Sequence, residues 1–512
     1  MHAEDAYLFR HALLRDAAYQ IQLPLHRARL HALALELIER VLGGRPELRP
    51  LLRDTRKGHS QHPTDIAAVE LAIHAREASW ADPDMIDLQR LYLQRAARHA
   101  AAQFRGAEAA GLWAQLSELL VGVERAEALR LSAVESYHIG LFDASESRLM
   151  QALRLAEGTH EPRVRADLQM ALAGVHQVTG RAAQARQSYD AAIEIAERAG
   201  ELECLGMALG NLAAALSRIG NAKEAEPMLH RALALHRELG NDRSYGITLA
   251  NLGLMLLHTG RAGPAEDALT EALAVCRQCR DLRTEGAILV NLGVVYQRTN
   301  RPERAEAVYL DALRLLRETG LRGAEAITLG QIAILFAQAG RHEEAEREFV
   351  TAVRTLEEIG DRIGMASTLG DLGVHYFETG RLGLAADTFT EAIRVSRAAG
   401  DRRGVGVSLG NLAHVHSSSG DLVQADNEFR EALAIHAEIG NRRFTGVHTC
   451  EHAICLLRAG QADAARRTWR LGHEVLSTLG DVLEASRQAE LMRRACIDAG
   501  IDPFDIPEPG SG

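Results

Sequence analysis

Three short patterns in this chain carry residue types that could do chemistry. His448, Glu451 and His452 match H-x-x-E-H, a zinc-protease spacing in which two imidazoles hold the metal and the carboxylate moves a proton. Cys276 and Cys279 form a C-x-x-C pair, the spacing of a redox dithiol or of half a zinc site. His59 and His62 stand close together in a stretch rich in Gly, Pro and Arg. Each pattern is incomplete: the first has no third metal ligand and the second no partner pair at zinc-finger spacing. No G-x-x-x-x-G-K-S/T loop and no kinase signature set occurs in the chain. The residues that cradle phosphates for transfer are therefore missing. The chain reads as a non-enzyme with no metal and no cofactor.

The elements that hold these residues follow from composition and period. At 512 residues the chain is too long for one compact core, so several domains or an elongated array are expected. Hydrophobic residues are 47%, charged residues 25% and aromatics only 4%, with Ala, Leu, Glu and Arg dominant. That mixture favours helix, because Ala and long unbranched side chains lose little entropy there. The net charge of −11 is spread along the chain. It argues against general affinity for phosphate backbones, so no nucleic acid is expected, although a local basic patch is compatible with it. Six scattered cysteines make no disulfide framework. No apolar run approaches the roughly 20 residues needed to cross a bilayer. The start, MHAEDAYLFRHALLRD, lacks the apolar core of a signal peptide. The expected place is the cytoplasm, away from membranes.

A turn residue recurs every 40 positions at Gly180, Gly220, Gly260, Asn300, Gly340, Gly380, Gly420 and Gly460. A second series, Gly200, Gly240, Gly320, Gly360, Gly400, Gly440 and Gly480, lies midway, with Arg280 as its exception. Gly or Asn suits a helix end that needs positive φ, so each period reads as two helices and two tight turns. Five residues after each first-series turn stands Ala185, Ala225, Ala265, Ala305, Ala345, Ala385, Ala425 or Ala465. Four further on comes Tyr189, Leu229, Leu269, Tyr309, Phe349, Phe389, Phe429 or Trp469. Seven before each turn the residue is always Ala or Gly. Small residues let antiparallel helices approach, and large ones fill the space between neighbours.

These columns resemble the tetratricopeptide pattern, in which L-G-x-x-Y is followed by A-x-x-x-F and then Ala. The period is longer than the common form of about 34 residues and lacks its closing Pro. It is similar to the longer variant of kinesin light chains and Leu-Gly-Asn repeat proteins, a likeness carried by LGNLAAAL, ANLGLMLL, VNLGVVY, LGDLGVHY and LGNLAHVH. The resemblance implies an all-α, right-handed α-solenoid of helix-turn-helix tetratricopeptide repeats, eight of them regular over 166–480. Residues 64–165 read as degenerate helical repeats, 481–499 as a capping helix, 500–512 as a disordered tail, and 1–63 as a helical segment with its linker. Within that first segment Phe9, Arg10, His11, Leu14, Arg15, Ala17, Ala18, Tyr19, Pro24, Arg27, Leu30 and His31 resemble the helical region of large bacterial signalling ATPases, some fused to kinases. The resemblance implies a sensor arm whose partner is such an ATPase or kinase. The alternative is that these helices cap the first end of the solenoid.

Stacked repeats of this kind line their inner surface with first helices. Nine residues before each first-series turn runs a polar ladder: Asn211, Asn251, Asn291, Gln331, Asp371, Asn411 and Glu451. In related repeats an Asn here bonds the backbone of an extended peptide, and a carboxamide can pair with both C=O and N–H. The competing reading is that these side chains cap or bridge helices. Apolar rows flank the ladder, with Met207, Ile247 and Ile327 on one side and Leu254, Val294 and Ile334 on the other. Seven past it, Arg218, His258 and Arg298 form a basic start to a row that ends mixed or acidic, so an acidic ligand segment is expected near Arg218 and Arg298. The expected function is a scaffold that binds a protein or peptide segment, as the sensor arm of a bacterial signalling system. The alternatives are a self-associating or spacer module, or a regulator of a transcription or kinase partner. Glu451 and His452 fall on repeat columns, which accounts for them without a metal.

Overall fold

The computed structural model describes residues 19, 22–48, 50–52, 61–103, 105–279, 281–479 and 481–504, with only the backbone of 283, 482 and 483. Among these residues every regular element is a helix. The N-terminal residues from Phe9 to Ala18, His59, Arg280 and Gly480 lie outside the described residues. The chain divides into two compact units, one ending at Val164 and one beginning at Arg165.

The first unit contains helices Pro24–Val41, Ala68–Ala78, Met85–Ala102, Gly106–Glu118, Gly122–His138 and Phe142–Ala156, with a 3-10 turn at Pro63–Ala67. His62 caps that turn: its ring accepts the Thr64 N–H, and Asp65 accepts the His62 N–H at 2.9 Å. The interior of this unit is partly polar. Arg95 meets Asp65 at 2.6 Å, and the Tyr92 hydroxyl donates to Glu39, which Arg45 also grips at 2.8 Å.

In the second unit the 40-residue period becomes pairs of antiparallel helices, such as Leu202–Arg218 with Ala222–Glu238 and Asp242–His258 with Ala262–Cys279. The turn residues do what their types allow. Gly220 sits at φ +88° and Asn300 at φ +56°, so the chain reverses without a Cβ clash at the one and with the most tolerant side chain at the other. At Gly220 the reversal is locked by its N–H to Ser217 C=O and by Asn221 N–H to Leu216 C=O at 2.9 Å. The next helix of many pairs is capped by a carboxylate, as when Asp401 accepts the Gly404 N–H at 3.0 Å.

Between the helices, small meets large as the columns predict. A Cβ on Gly293 would stand 2.2 Å from the Tyr309 ring, and one on Gly373 2.8 Å from Phe389. Tyr309, Phe349, Phe389, Phe429 and Trp469 are almost fully buried. Burying each such ring is worth roughly 1.5–3 kcal/mol, and the cost of a missing neighbour falls on the ends of the stack. At the C-terminal end the helix Val482–Asp498 covers the last pair, with Met492 and Cys496 packed against Val447, Cys450 and Ile454. Residues 501–504, expected to belong to a disordered tail, are described and packed through Phe504. Phe504 is buried, and the Arg466 guanidinium lies 5.0 Å from its ring centroid. An aromatic ring with a cleft and a cation to face is held in place, and only 505–512 lie beyond the described chain.

The second unit also closes on itself. A Cβ on Gly180 would meet Ile439 at 2.8 Å, and one on Gly220 would meet Leu479 at 2.8 Å. The small rotation from each repeat to the next therefore adds up until the first and last repeats touch.

Candidate binding groove

The two chemical patterns are taken apart by the packing. His448 bonds His436 at 3.0 Å between buried rings. Glu451 accepts from Gln488 at 3.4 Å and lies 3.6 Å from His414. His452 turns to Asp426 at 2.6 Å and stacks on Phe429. The three side chains of H-x-x-E-H thus point to three different partners. Cys276 is buried against Gly246 on the first helix of its own repeat, and burial pushes its thiol up to about 11, while Cys279 is exposed.

The ladder lies along the first helices, one rung per repeat. Asn251, Asn291, Gln331, Asp371 and Asn411 are half-buried, Asn211 is exposed and Glu451 is buried. Among the described residues Asn211 has only a weak contact to Met170 Sδ at 3.9 Å. The side chains of Asn251, Asn291, Gln331, Asp371 and Asn411 have no hydrogen-bond partner among the described residues. Leu254, Val294 and Ile334 are half-buried beside them, and Ile247 and Ile327 are exposed on the other flank. In the later repeats these rows share one cavity of ≈ 520 Å³, lined among others by Asp371, Asn411, Glu451, Val374, Val407 and Phe377. Protein surrounds these groups even where water reaches them. Burial accordingly pushes the Asp371 carboxyl up to about 7 and Glu451 up to about 8, and holds His414 down to about 4.

Arg218 and Arg298 come together. With His258 they line a cavity of ≈ 210 Å³, joined by Arg403, Arg443 and Asp481. Burial and then the neighbouring Arg298 and Arg443 hold the His258 imidazole below its ordinary value, against the pull of Asp481. Arg403 and Arg443 belong to repeats distant in sequence, and the column reading did not single them out. A signal for them existed: the third residue after a second-series turn is Arg243, Arg283, Arg403 and Arg443 in four of the repeats.

A sequence model of the tetratricopeptide repeat matches residues 164–238, 204–278, 247–318, 284–358 and 324–398. Residues 164–398 therefore carry tetratricopeptide repeats, and the helix-turn-helix units of the second unit form an all-α solenoid. No curated protein matches the sequence. Among solved structures it is similar to a Rap protein complexed with competence and sporulation factor, at 13% identity and TM-score 0.49, covering 73% of this chain and 99% of that one. The apo quorum sensor NprR from B. thuringiensis gives 13% identity and TM-score 0.43 over 69% of this chain and 99% of that one. A signal-transduction ATPase with numerous domains and a tetratricopeptide-repeat sensor, from Pyrococcus horikoshii, gives 13% and 0.42 over 85% and 72%. At these identities and scores they assign no ligand to this chain. Among the described residues no helix is long and apolar enough to cross a membrane.

Proposed function

We propose that this protein is a non-enzymatic scaffold that captures an extended protein or peptide segment along the inner face of its repeats. The observation that carries this reading is the row of half-buried carboxamides and carboxyls from Asn251 to Asn411, unpaired among the described residues and flanked by apolar rows. An unpaired amide in a groove has a donor and an acceptor free, which is what one peptide unit requires. Each bond contributes on the order of 1 kcal/mol, so several in register are needed. The apolar rows supply side-chain pockets between the rungs. The N-terminal resemblance adds a context: the segment belongs to a bacterial signalling ATPase or kinase, or reports to one.

The test begins with peptides selected from a random library on the whole chain. Asn251→Ala combined with Asn291→Ala is expected to weaken the selected peptides by about twenty- to thirtyfold, from on the order of 1 kcal/mol per lost bond, with the melting midpoint held. Unchanged affinity in a folded double variant would remove the ladder from the mechanism.

A further inference from the structure

Arg403 lines three cavities of the second unit, of ≈ 450, ≈ 210 and ≈ 520 Å³. Two of its counterparts in the column, Arg243 and Arg443, are neutralised. Arg243 meets Asp281, the cap of the next repeat, at 2.7 Å, and Arg443 meets Asp481 in the same way at 2.8 Å. For Arg403 the next cap is Asn441, so the carboxylate that completes the pair is missing. Asn441 is itself 2% exposed, and neither polar atom of its side chain has a partner. Asp401, at the start of the same helix, faces Arg403 but is engaged in capping Gly404 at 3.0 Å. Arg218 and Arg298, across the ≈ 210 Å³ cavity, have no ion pair among the described residues. Burial makes the positive charge on Arg403 less favourable; Asp401 opposes this, and Arg218 and Arg443 add to it.

Guanidinium groups that converge on enclosed space and outnumber their acidic partners are stabilised by an anion between them. We propose that Arg218, Arg298, Arg403 and Arg443 form an oxyanion clasp where the first and last repeats meet, and that it holds a carboxylate of the segment bound in the groove. The carboxylate part rests on the peptide-capture reading; the clasp itself does not. The four cations outnumber the three acids beside them, Asp481, Glu484 at 3.6 Å from Arg443, and Asp401 near Arg403, so the cluster is net positive. The planar forks of Arg match a carboxylate with paired N–H donors. Because the arginines come from both ends of the coil, an anion held there also ties those ends together and stabilises the closed form by mass action.

Two probes test this on the whole chain. The first is inorganic phosphate, titrated against chloride at constant ionic strength. The melting midpoint is expected to rise and saturate. The rise is expected to vanish in Arg403→Gln and also in Asn441→Asp, which supplies the missing carboxylate and leaves every arginine in place. Arg231→Gln, whose side chain pairs with Glu197 at 2.7 Å, is the control and should respond like the parent. A rise that does not saturate, or one that persists in both Arg403→Gln and Asn441→Asp, overturns the clasp. The second probe is the set of selected peptides. An acidic residue at one fixed position is expected, and its replacement by the amide should cost about tenfold on the parent, as for a charge-assisted bond, and nothing on Arg403→Gln. Selected peptides without an acidic position, bound equally by Arg403→Gln, overturn the carboxylate assignment and leave peptide capture standing. No selected peptide at all, with a phosphate response that depends on Arg403, removes peptide capture and leaves the clasp.

Discussion

The middle and last repeats share one register but not one environment. Ile247 and Ile327 on the inner wall are 41% and 46% exposed, whereas Val447 at the same position is 7% exposed. Asn251 and Asn291 are half-buried rungs, and Glu451 is a buried one. The difference comes from what is stacked next. A middle first helix meets further first helices and leaves its inner face to the groove, while Arg442–Arg458 is covered by Val482–Asp498, with Gln488 over Glu451. A column position is therefore a recognition site or a core site according to its neighbour. A solenoid must convert one into the other where it stops.

The largest expected effect separates the two regions by where damage spreads. Tyr309→Ala and Trp469→Ala each remove a fully buried ring and should cost about 3–5 kcal/mol by denaturant unfolding. In a stack stabilised by neighbour contacts, the middle variant should release amide protection on both sides of its repeat. The end variant should release it only from about the last pair and its cap. Equal spread from both sites would show that the second unit unfolds as one block, and the contrast between regions would lose its energetic meaning.

A smaller effect reads the buried rung by pH. Glu451 has a folded value of about 8, above its ordinary carboxyl value. The native state therefore holds a proton that the unfolded chain has already lost. The stability tied to it is fully present at acid pH and is lost as pH rises through the folded value. Asp371, at about 7, acts in the same direction. His414, held down to about 4, opposes both at acid pH, since its native state resists protonation below the ordinary His value. The window in which the carboxyls act without that opposition is about pH 6.5 to 8. The melting midpoint is expected to fall across it. Glu451→Gln should flatten most of that fall and Asp371→Asn the remainder, whereas Asn251→Gln on the open wall should leave the profile as it was. A parent profile flat from pH 6.5 to 8 would refute the buried protonated carboxyl.

Much of this was legible in the residues. The turn positions at Gly220 and Asn300, the Gly293–Tyr309 and Gly373–Phe389 contacts and the half-buried ladder follow from a period that is local, each repeat touching only the next. What was not legible depends on long-range sums. The approach of Gly180 to Ile439 and of Gly220 to Leu479 needs the rotation accumulated over the repeats, which no single column encodes. For the same reason Arg218 and Arg298 could be named as a basic pair, but Arg403 and Arg443, delivered from the other end of the coil, could not. Glu451 looked like one more rung because a column shows spacing and not what stacks upon it. Phe504 was grouped with a polar, Pro-rich tail because the cleft that receives it is built by Arg466 and its neighbours.

The smallest effect concerns a clip that the middle repeats have and the last ones lack. One residue after each first-series turn, Arg261, Arg301 and Arg381 reach back to Glu226, Glu266 and Glu346 of the preceding repeat at 2.9, 2.7 and 2.7 Å. Arg381 also lies 4.5 Å from the Tyr376 ring centroid. At the C-terminal end the same column holds Asp421 and Gln461. The clips are partly exposed, so water and salt screen them, and Arg381→Gln should cost about 1 kcal/mol from ion pair and ring contact together. The loss should shrink with added salt as the ionic part is screened, leaving the ring contact. The reciprocal change, Gln461→Arg, should add less than Arg381 contributes. The acid at the matching place is Asp426, already engaged by His452 at 2.6 Å and Arg430 at 2.9 Å. A gain from Gln461→Arg equal to the loss from Arg381→Gln would show that the last repeats differ from the middle ones in sequence alone, and not in the partners their stacking has already committed.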